Sequence, residues 1–411
     1  MIETPRGNRV HIALFGRTNA GKSSLVNKIT NQNISLVSDV RGTTTDPVYK
    51  AMELLPIGPV VFIDTAGIDD DTQIGALRIE KTVEVLNKMD VGLLIISAKD
   101  IIENRPLDFE KEWLDKIKKK NKPYIVVINK TDLVVDRDKF EKTVEETKKN
   151  WDTEIIPISS LKGEDIQLLK KKIIELAPKL VTEETLIGDK INPGDKILLV
   201  APQDIQAPKG RLILPQVQVI RDILDNGGIP TVVTLGNLKN GLNIFDGKPD
   251  LVITDSQVFA KVDEVLDKNI PLTSFSIIMA RAKGDLEIFY RGAKRINTLK
   301  AGDKVLIAEA CTHHQMKGDI AREKIPMLLE KKIPGIIIDN CSGKDFPKNL
   351  DEYSLVIHCG SCMLNRAETM SRVENCEENR VGITNFGMTI AELNGILDRV
   401  TEIFNLKIQT L

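Results

Sequence analysis

The stretch that decides the fold is "HIALFGRTNAGKSSLVNKI", residues 11–29. It reads as a strand, a glycine loop and a helix. Within it, Gly16-x-x-x-x-Gly21-Lys22-Ser23 fits the phosphate-loop pattern in the right context. The glycines let backbone N–H groups turn toward phosphate oxygens, and the helix that follows adds its positive N-terminal end. Lys22 is expected to reach the β- and γ-phosphates, and the Ser23 hydroxyl to bind Mg²⁺. Asn19, Ala20 and Ser24 belong to the same nucleotide cradle.

Three later stretches extend this reading. "VVFIDTAG" is an apolar strand ending in Asp64, a carboxylate able to hold the Mg²⁺ through water, with Gly67 placed to sense the γ-phosphate through its N–H. "YIVVINKTD" is another strand, ending in Asn129-Lys130-x-Asp132. A carboxylate there accepts two hydrogen bonds from the N1–H and exocyclic amine of guanine; adenine has no such donor pair, so Asp132 selects GTP and GDP. "IIPISSLKG" ends in Ser159-Ser160, whose backbone can contact the guanine O6. The four sites fall in order at the C-terminal ends of predicted parallel strands, where ligands bind in open α/β sheets.

This segment resembles the translation-factor-related GTPases of the TrmE/Era group. Like them it lacks the water-orienting glutamine of Ras-type enzymes, having Ile68 after "DTAG". The resemblance implies that Asn19 helps bind K⁺ beside the phosphates, that Thr44 of "RGTTTD" senses Mg²⁺ and the γ-phosphate, and that Asp70 stands where TrmE has a water-positioning glutamate. Slow, potassium-stimulated hydrolysis is the expectation, with Lys22, Thr44, Gly67 and Asp70 as the catalytic set. An Asp is shorter than a Glu, and a solvated acidic loop is the plainer reading of Asp70.

Composition sets limits on the rest. The 411 residues suffice for two to four domains. The net charge of −2 argues against a dedicated electrostatic nucleic-acid binder. There is no apolar run of membrane-spanning length and no signal-peptide pattern, so no membrane partner and a cytoplasmic location are expected. Five cysteines are too few and too uneven for a secreted disulfide framework, and point to metal or redox chemistry.

Beyond the first domain, expected at 1–178, the chain looks duplicated. "INPGDKILLVAPQDIQAPKGRLI" and "LKAGDKVLIAEACTHHQMKGDIA" share Gly-Asp-Lys and Lys-Gly at an offset of 108. Each continues into an amphipathic helix and an apolar strand. Then "PDLVITDSQV" parallels "YSLVIHCGSC", and "NIPLTSF" parallels "RVGITNF". We therefore expect an α/β protein: a P-loop GTPase domain followed by two smaller, mutually similar, mainly parallel α/β domains, at 179–268 and 269–411.

Only the second copy carries cysteines. Cys311 and Cys359 fall at C-terminal strand ends, where the first copy has Gln203 and Asp255. Cys359-x-x-Cys362 makes a two-thiolate turn, with His313 and His358 close by. Cys341 and Cys376 read as extra thiols, and His314 as a solvated neighbour. Three chemistries suit the cluster: tetrahedral zinc with Cys₃His, a redox CxxC, or a 4Fe–4S cluster on three thiolates with one iron left for an exchangeable ligand.

Cys311-Thr-His313, then 44 residues, then His358-Cys359-Gly-Ser-Cys362 resembles the C-x-H…H-C-x-x-C signature of the HydF family of FeFe-hydrogenase maturation GTPases. The order also matches: GTPase, middle dimerisation domain, cluster domain. The resemblance implies a 4Fe–4S cluster on Cys311, Cys359 and Cys362, and His313 and His358 match its signature histidines, as ligands or as hydrogen-bond donors to cluster or precursor. Apart from the resemblance, Glu309 is a weaker candidate oxygen ligand. It implies a transient diiron precursor bearing CO, cyanide and dithiolate, delivered to apo FeFe-hydrogenase. It also implies the radical-SAM maturases HydE and HydG upstream, and a homodimer. The readings set against it are a zinc-containing GTPase in RNA or ribosome maturation, and a cluster-sensing regulatory GTPase.

Overall fold

Apolar runs with the spacing of buried strands build the first sheet. β1 (Val10–Phe15) and β4 (Val91–Ser97) are buried along their whole length, and β5 (Tyr124–Asn129) along all but its first residue. With β2 (Val48–Leu54), β3 (Gly58–Asp64) and β6 (Ile155–Pro157) they form a six-stranded sheet in the order β2-β3-β1-β4-β5-β6. All neighbours are parallel except β2 with β3. β2 lies at the edge and is only partly buried, as suits a strand with one free side.

The pleat of β1 divides the core in two. Ile12 and Leu14 pack with Leu25, Val26, Leu169 and Ile173 on one face. Ala13 and Phe15 pack with Trp113, Leu114 and Ile117 on the other. The stack of Phe15 on Trp113, with ring centroids 5.7 Å apart, pins helix Asp108–Lys119 under the loop that follows β1. Each such buried side chain contributes about 1.5–3 kcal/mol.

The computed structural model describes residues 7, 9–30, 46–67, 73–177, 185–201, 212–310, 319–343, 345–347, 349–361 and 364–406. The chain divides into two compact units, Met1–Glu183 and Glu184–Leu411.

The second unit holds two four-stranded parallel sheets. The first contains β7 (Lys196–Val200), β8 (Ile229–Val233), β9 (Leu251–Thr254) and β10 (Leu272–Ser274). The second contains β11 (Lys304–Glu309), β12 (Ile337–Ser342), β13 (Leu355–His358) and β14 (Gly382–Asn385). Their orders, β10-β9-β7-β8 and β12-β11-β13-β14, are one topology read from opposite ends.

The duplication extends to individual hydrogen bonds. Gly194 N–H donates to Gly227 O at 2.8 Å, and Gly302 N–H to Gly335 O at 2.9 Å. Asp195 accepts from Asn192 N at 2.7 Å, and Asp303 from Lys300 N at 2.8 Å. Gly194 and Gly302 both have φ near +90° (92° and 89°), which is why glycine recurs there.

The two sheets share one apolar core. Helix Leu286–Arg295 follows β10 yet packs on β14, so tightly that a Cβ on Gly292 would lie 1.9 Å from Ile383 O. Helix Leu397–Thr401 follows β14 yet packs beside β10. This reciprocal exchange joins the copies, and β10 carries the middle sheet on to Ser274, past residue 268. Among the described residues no helix is long and apolar enough to cross a membrane.

Candidate functional site

The first site is built at the C-terminal ends of β1, β3 and β5. The chain leaves β1 through Gly16, where a Cβ would lie 2.3 Å from Ile95 O, so the loop needs glycine there. Lys22 opens helix Lys22–Thr30 and is buried. Its ammonium donates back to Gly16 O at 2.7 Å and Arg17 O at 2.9 Å, which aims it across the loop.

Ser23 Oγ donates to Asp64 Oδ2 at 2.5 Å. The other carboxylate oxygen, Oδ1, is buried with no hydrogen-bond partner among the described residues. Burial pushes the Asp64 carboxyl above its usual range, against the opposing pull of Ser23, Lys22 and Lys50. A hydroxyl beside a carboxylate with one orphaned oxygen is hard-oxygen chemistry that fits Mg²⁺. Thr18, Asn19, Gly21, Lys22, Asp64 and Gly67 help line the adjoining cavity of about 500 Å³.

The residues expected to recognise the base are joined to the loop. Asn129 Nδ2 donates to Ala20 O and Gly21 O, both at 3.3 Å. Its Oδ1 accepts from Ser160 N at 3.0 Å and Ser160 Oγ at 2.8 Å. Lys130 Nζ donates to Asn19 O. Asp132 Oδ1 accepts from Ser159 Oγ at 2.5 Å, which orients the carboxylate. Ser24 lines the same cavity as Ser23. Thr44, Ile68 and Asp70 lie outside the described residues.

Sequence reasoning missed the support of this loop. Arg17 makes a two-pronged ion pair with Glu110, Nε to Oε1 at 2.6 Å and Nη2 to Oε2 at 3.1 Å. Glu110 is buried on helix Asp108–Lys119, and burial pushes its carboxyl up despite Arg17. The pair fixes the residue whose carbonyl holds Lys22. Its only sequence trace is an acidic residue at a helical spacing otherwise occupied by Trp113, Leu114 and Ile117.

The second site lies where β11 and β13 run side by side. Cys359 follows β13; its N–H donates to Ala308 O at 2.9 Å, and its Sγ accepts from Ala310 N–H at 3.0 Å. Ala310 immediately precedes Cys311. The neighbours of β11 are β12 and β13, so strand order reverses here, the usual place for a ligand in an open parallel sheet. A sulfur accepting a backbone N–H suits a thiolate ligand. Cys311, His313, His314 and Cys362 lie outside the described residues, as does Gln203. Among the described residues no group of three or more His, Cys, Asp and Glu is placed to hold a metal.

His358 is buried and engaged on both ring nitrogens. Nε2 accepts from Arg372 Nη1 at 2.9 Å, so the ring proton sits on Nδ1, 2.9 Å from Cys359 O and 3.2 Å from Ser361 Oγ. Burial, with Arg372 adding to it, pushes the imidazole down to about 3 and keeps it neutral. Glu309 is ion-paired with Arg322, at 3.2 Å through Nε and 3.1 Å through Nη2. Cys376 is a core thiol pushed up to about 12 by burial, and Cys341, on β12, is pushed up to about 11.

Comparison with known proteins follows this division. Residues 11–130 match a model described as a 50S ribosome-binding GTPase. Residues 186–284 match the hydrogen maturase F dimerization domain, and residues 287–403 the hydrogen maturase F tetramerization domain. A tRNA modification GTPase MnmE from Thermotoga sp. (strain RQ2) is 36% identical over 172 residues, covering 40% of this chain and 35% of that protein. A GTPase Era from Aquifex aeolicus is 29% identical over 258 residues, covering 60% of this chain and 77% of that one. The chain thus spans about a third (35%) of the length of the MnmE relatives it matches first. Among solved structures, a variant of Aquifex aeolicus Era bound to GDP.AlF4- aligns with a TM-score of 0.37 and 23% identity, over 57% of this chain and 97% of that one. With a GTPase domain at its start and two hydrogen maturase F domains filling the second unit, the chain belongs to the hydrogen maturase F family.

Proposed function

We propose that this protein hydrolyses GTP and acts as scaffold and carrier in FeFe-hydrogenase maturation, delivering a diiron precursor with CO, cyanide and dithiolate ligands to apo-hydrogenase. The observation that carries the reading is the pairing of the two hydrogen maturase F domains with a GTPase domain in one chain. The placement of Cys359 at the strand-order reversal agrees with it.

In the nucleotide site, Lys22 exchanges its two loop carbonyls for phosphate oxygens. Ser23 and Asp64 would hold Mg²⁺, with Thr44 completing the contact to the γ-phosphate, and Asn19 would hold K⁺. Gly67 offers its N–H to the γ-phosphate, Asp70 positions water, and Asp132 reads guanine with the Ser159-Ser160 backbone beside it. Turnover is slow and stimulated by K⁺.

In the cysteine site, Cys311, Cys359 and Cys362 would hold a 4Fe–4S cluster, which supplies one iron with an exchangeable coordination position. His358 orients the turn through Cys359 O and Ser361. His313 remains available as a ligand or hydrogen-bond donor. The protein works as a homo-oligomer in the cytoplasm, receives its cargo from the radical-SAM maturases HydE and HydG, and needs neither membrane nor nucleic acid. GTP binding orders the segment around Thr44 and Gly67 and so biases exposure of the cargo.

The deciding experiment is anaerobic reconstitution with iron and sulfide, read by low-temperature EPR, followed by activation of apo-hydrogenase. A zinc-only protein that activates nothing sinks this reading in favour of a zinc-containing GTPase in RNA maturation. A cluster without activation favours a sensing GTPase. Lys22→Ala should abolish hydrolysis and keep iron; triple Cys→Ala at 311, 359 and 362 should do the reverse.

A further inference from the structure

We propose that Arg372 is a positioning residue for the cysteine turn, holding the His358 ring so that Cys359, Gly360 and Ser361 keep one conformation. The geometry stands by itself; its functional meaning rests on the cluster reading above.

Arg372 lies on helix Arg366–Glu378 and is only 8% exposed. Its described hydrogen bonds go to two neutral acceptors on two other elements. Nη1 donates to His358 Nε2 at 2.9 Å, at the end of β13, and Nη2 donates to Gly343 O at 2.8 Å, just after β12. The guanidinium carbon lies over the Phe346 ring, 4.9 Å from its centroid. A planar fork can span both acceptors from there; an ammonium cannot. Burying a cation on neutral partners is costly, and an apolar side chain of similar size would fill the space more cheaply. What the arginine adds is direction: with Nε2 occupied, the imidazole must present Nδ1–H to Cys359 O and Ser361 Oγ.

The duplicated half shows the alternative. There the equivalent turn begins at Asp255, whose own carboxylate accepts from Gln257 N–H at 2.9 Å. That turn is braced by the side chain of the very position that Cys359 occupies in the second copy. With a thiol at that position the carboxylate brace is gone. The ring of His358, anchored from behind by Arg372, takes over the bracing, so the sulfur does not have to supply it. Ser361, with φ of 56°, shows how far the turn departs from extended backbone.

The test uses the full-length, metal-free protein and two variants, Arg372→Lys and Arg372→Met. Iodoacetamide labelling of each cysteine is followed by peptide mass spectrometry, with far-UV circular dichroism to confirm folding. Both variants should speed labelling of Cys359 by about tenfold, the equivalent of one lost hydrogen bond. Cys376, buried in the core, should stay protected. Unchanged Cys359 labelling in a folded Arg372→Lys protein overturns the proposal. So does an equal gain at Cys376, because that means general loosening. After iron and sulfide reconstitution, Arg372→Lys should also alter the EPR line shape; a spectrum identical to the parent's overturns the proposal. If the parent protein assembles no cluster while Arg372→Lys still selectively frees Cys359, the cluster reading fails and the positioning role stands.

Discussion

Ser23 Oγ donates to Asp64 Oδ2 at 2.5 Å while Asp64 Oδ1, buried beside it, has no partner among the described residues. The relationship makes Asp64 a destabilised carboxylate in metal-free protein. Its folded pKa is raised by burial, so its contribution to stability is present below the unfolded pKa and lost as pH rises through the folded one. Asp64→Asn should therefore raise the stability of metal-free protein at neutral pH by roughly 1 kcal/mol, with a higher unfolding midpoint. It should also remove the extra stabilisation that Mg²⁺ gives in the presence of GDP. Thermal unfolding with and without Mg²⁺ reads both effects.

In the proposed nucleotide site Asp132 reads the guanine, and its Oδ1 already accepts from Ser159 Oγ. Asp132→Asn replaces an acceptor pair with one acceptor and one donor. Guanine nucleotide affinity should fall on the order of a hundredfold. Xanthosine diphosphate, with an acceptor in place of the exocyclic amine, matches that new pair and should gain affinity. Competition against a fluorescent GDP analogue measures the ratio.

The ion pair between half-buried Arg17 and buried Glu110 carries the phosphate loop from 93 residues away. Glu110→Ala leaves the half-buried Arg17 without its counter-ion and should cost about 1–3 kcal/mol of stability in the first unit. Glu110→Gln keeps the shape, and should stabilise the fold relative to Glu110→Ala while still weakening nucleotide binding. Urea unfolding combined with nucleotide titration separates the two effects.

Asn19 lies in the loop with φ of 62° and accepts from Lys130 at its carbonyl. If it holds K⁺, turnover in K⁺ should exceed turnover in Na⁺ at equal ionic strength, and Asn19→Ala should erase the difference. Equal rates in the parent protein would remove the potassium assignment.

Cys341 has a thiol pushed up to about 11 by burial, from an ordinary 9.0. Its thiolate fraction near neutral pH is about a hundredfold below that of an ordinary thiol. Alkylation of Cys341 should be correspondingly slow. Its rate should keep rising with pH up to about 11, where an ordinary cysteine would already have levelled off. Peptide labelling rates followed from neutral pH upward test this.

The nucleotide site was largely legible in the sequence because each motif is local. Gly16 to Ser23 set their geometry within one loop, and Asp64, Asn129 and Ser160 are placed by the ends of adjacent parallel strands. The duplication was legible for the same reason, since Gly194 and Gly302 recur where φ near +90° requires glycine. The strand pattern likewise placed Cys359 at a strand end, because an apolar run bounded by a glycine turn marks where the strand stops.

Only the tertiary structure decided what holds these pieces. The exchange of helices Leu286–Arg295 and Leu397–Thr401 between the two sheets makes one core from two repeats, and it has no periodic signature. Glu110 under Arg17, and Arg372 behind His358, are each one of many polar residues on their helices, indistinguishable in residue type from the solvated ones. Their partners are chosen by packing across the fold. A charge becomes informative only when burial removes its water, and burial is a property of the assembled layers.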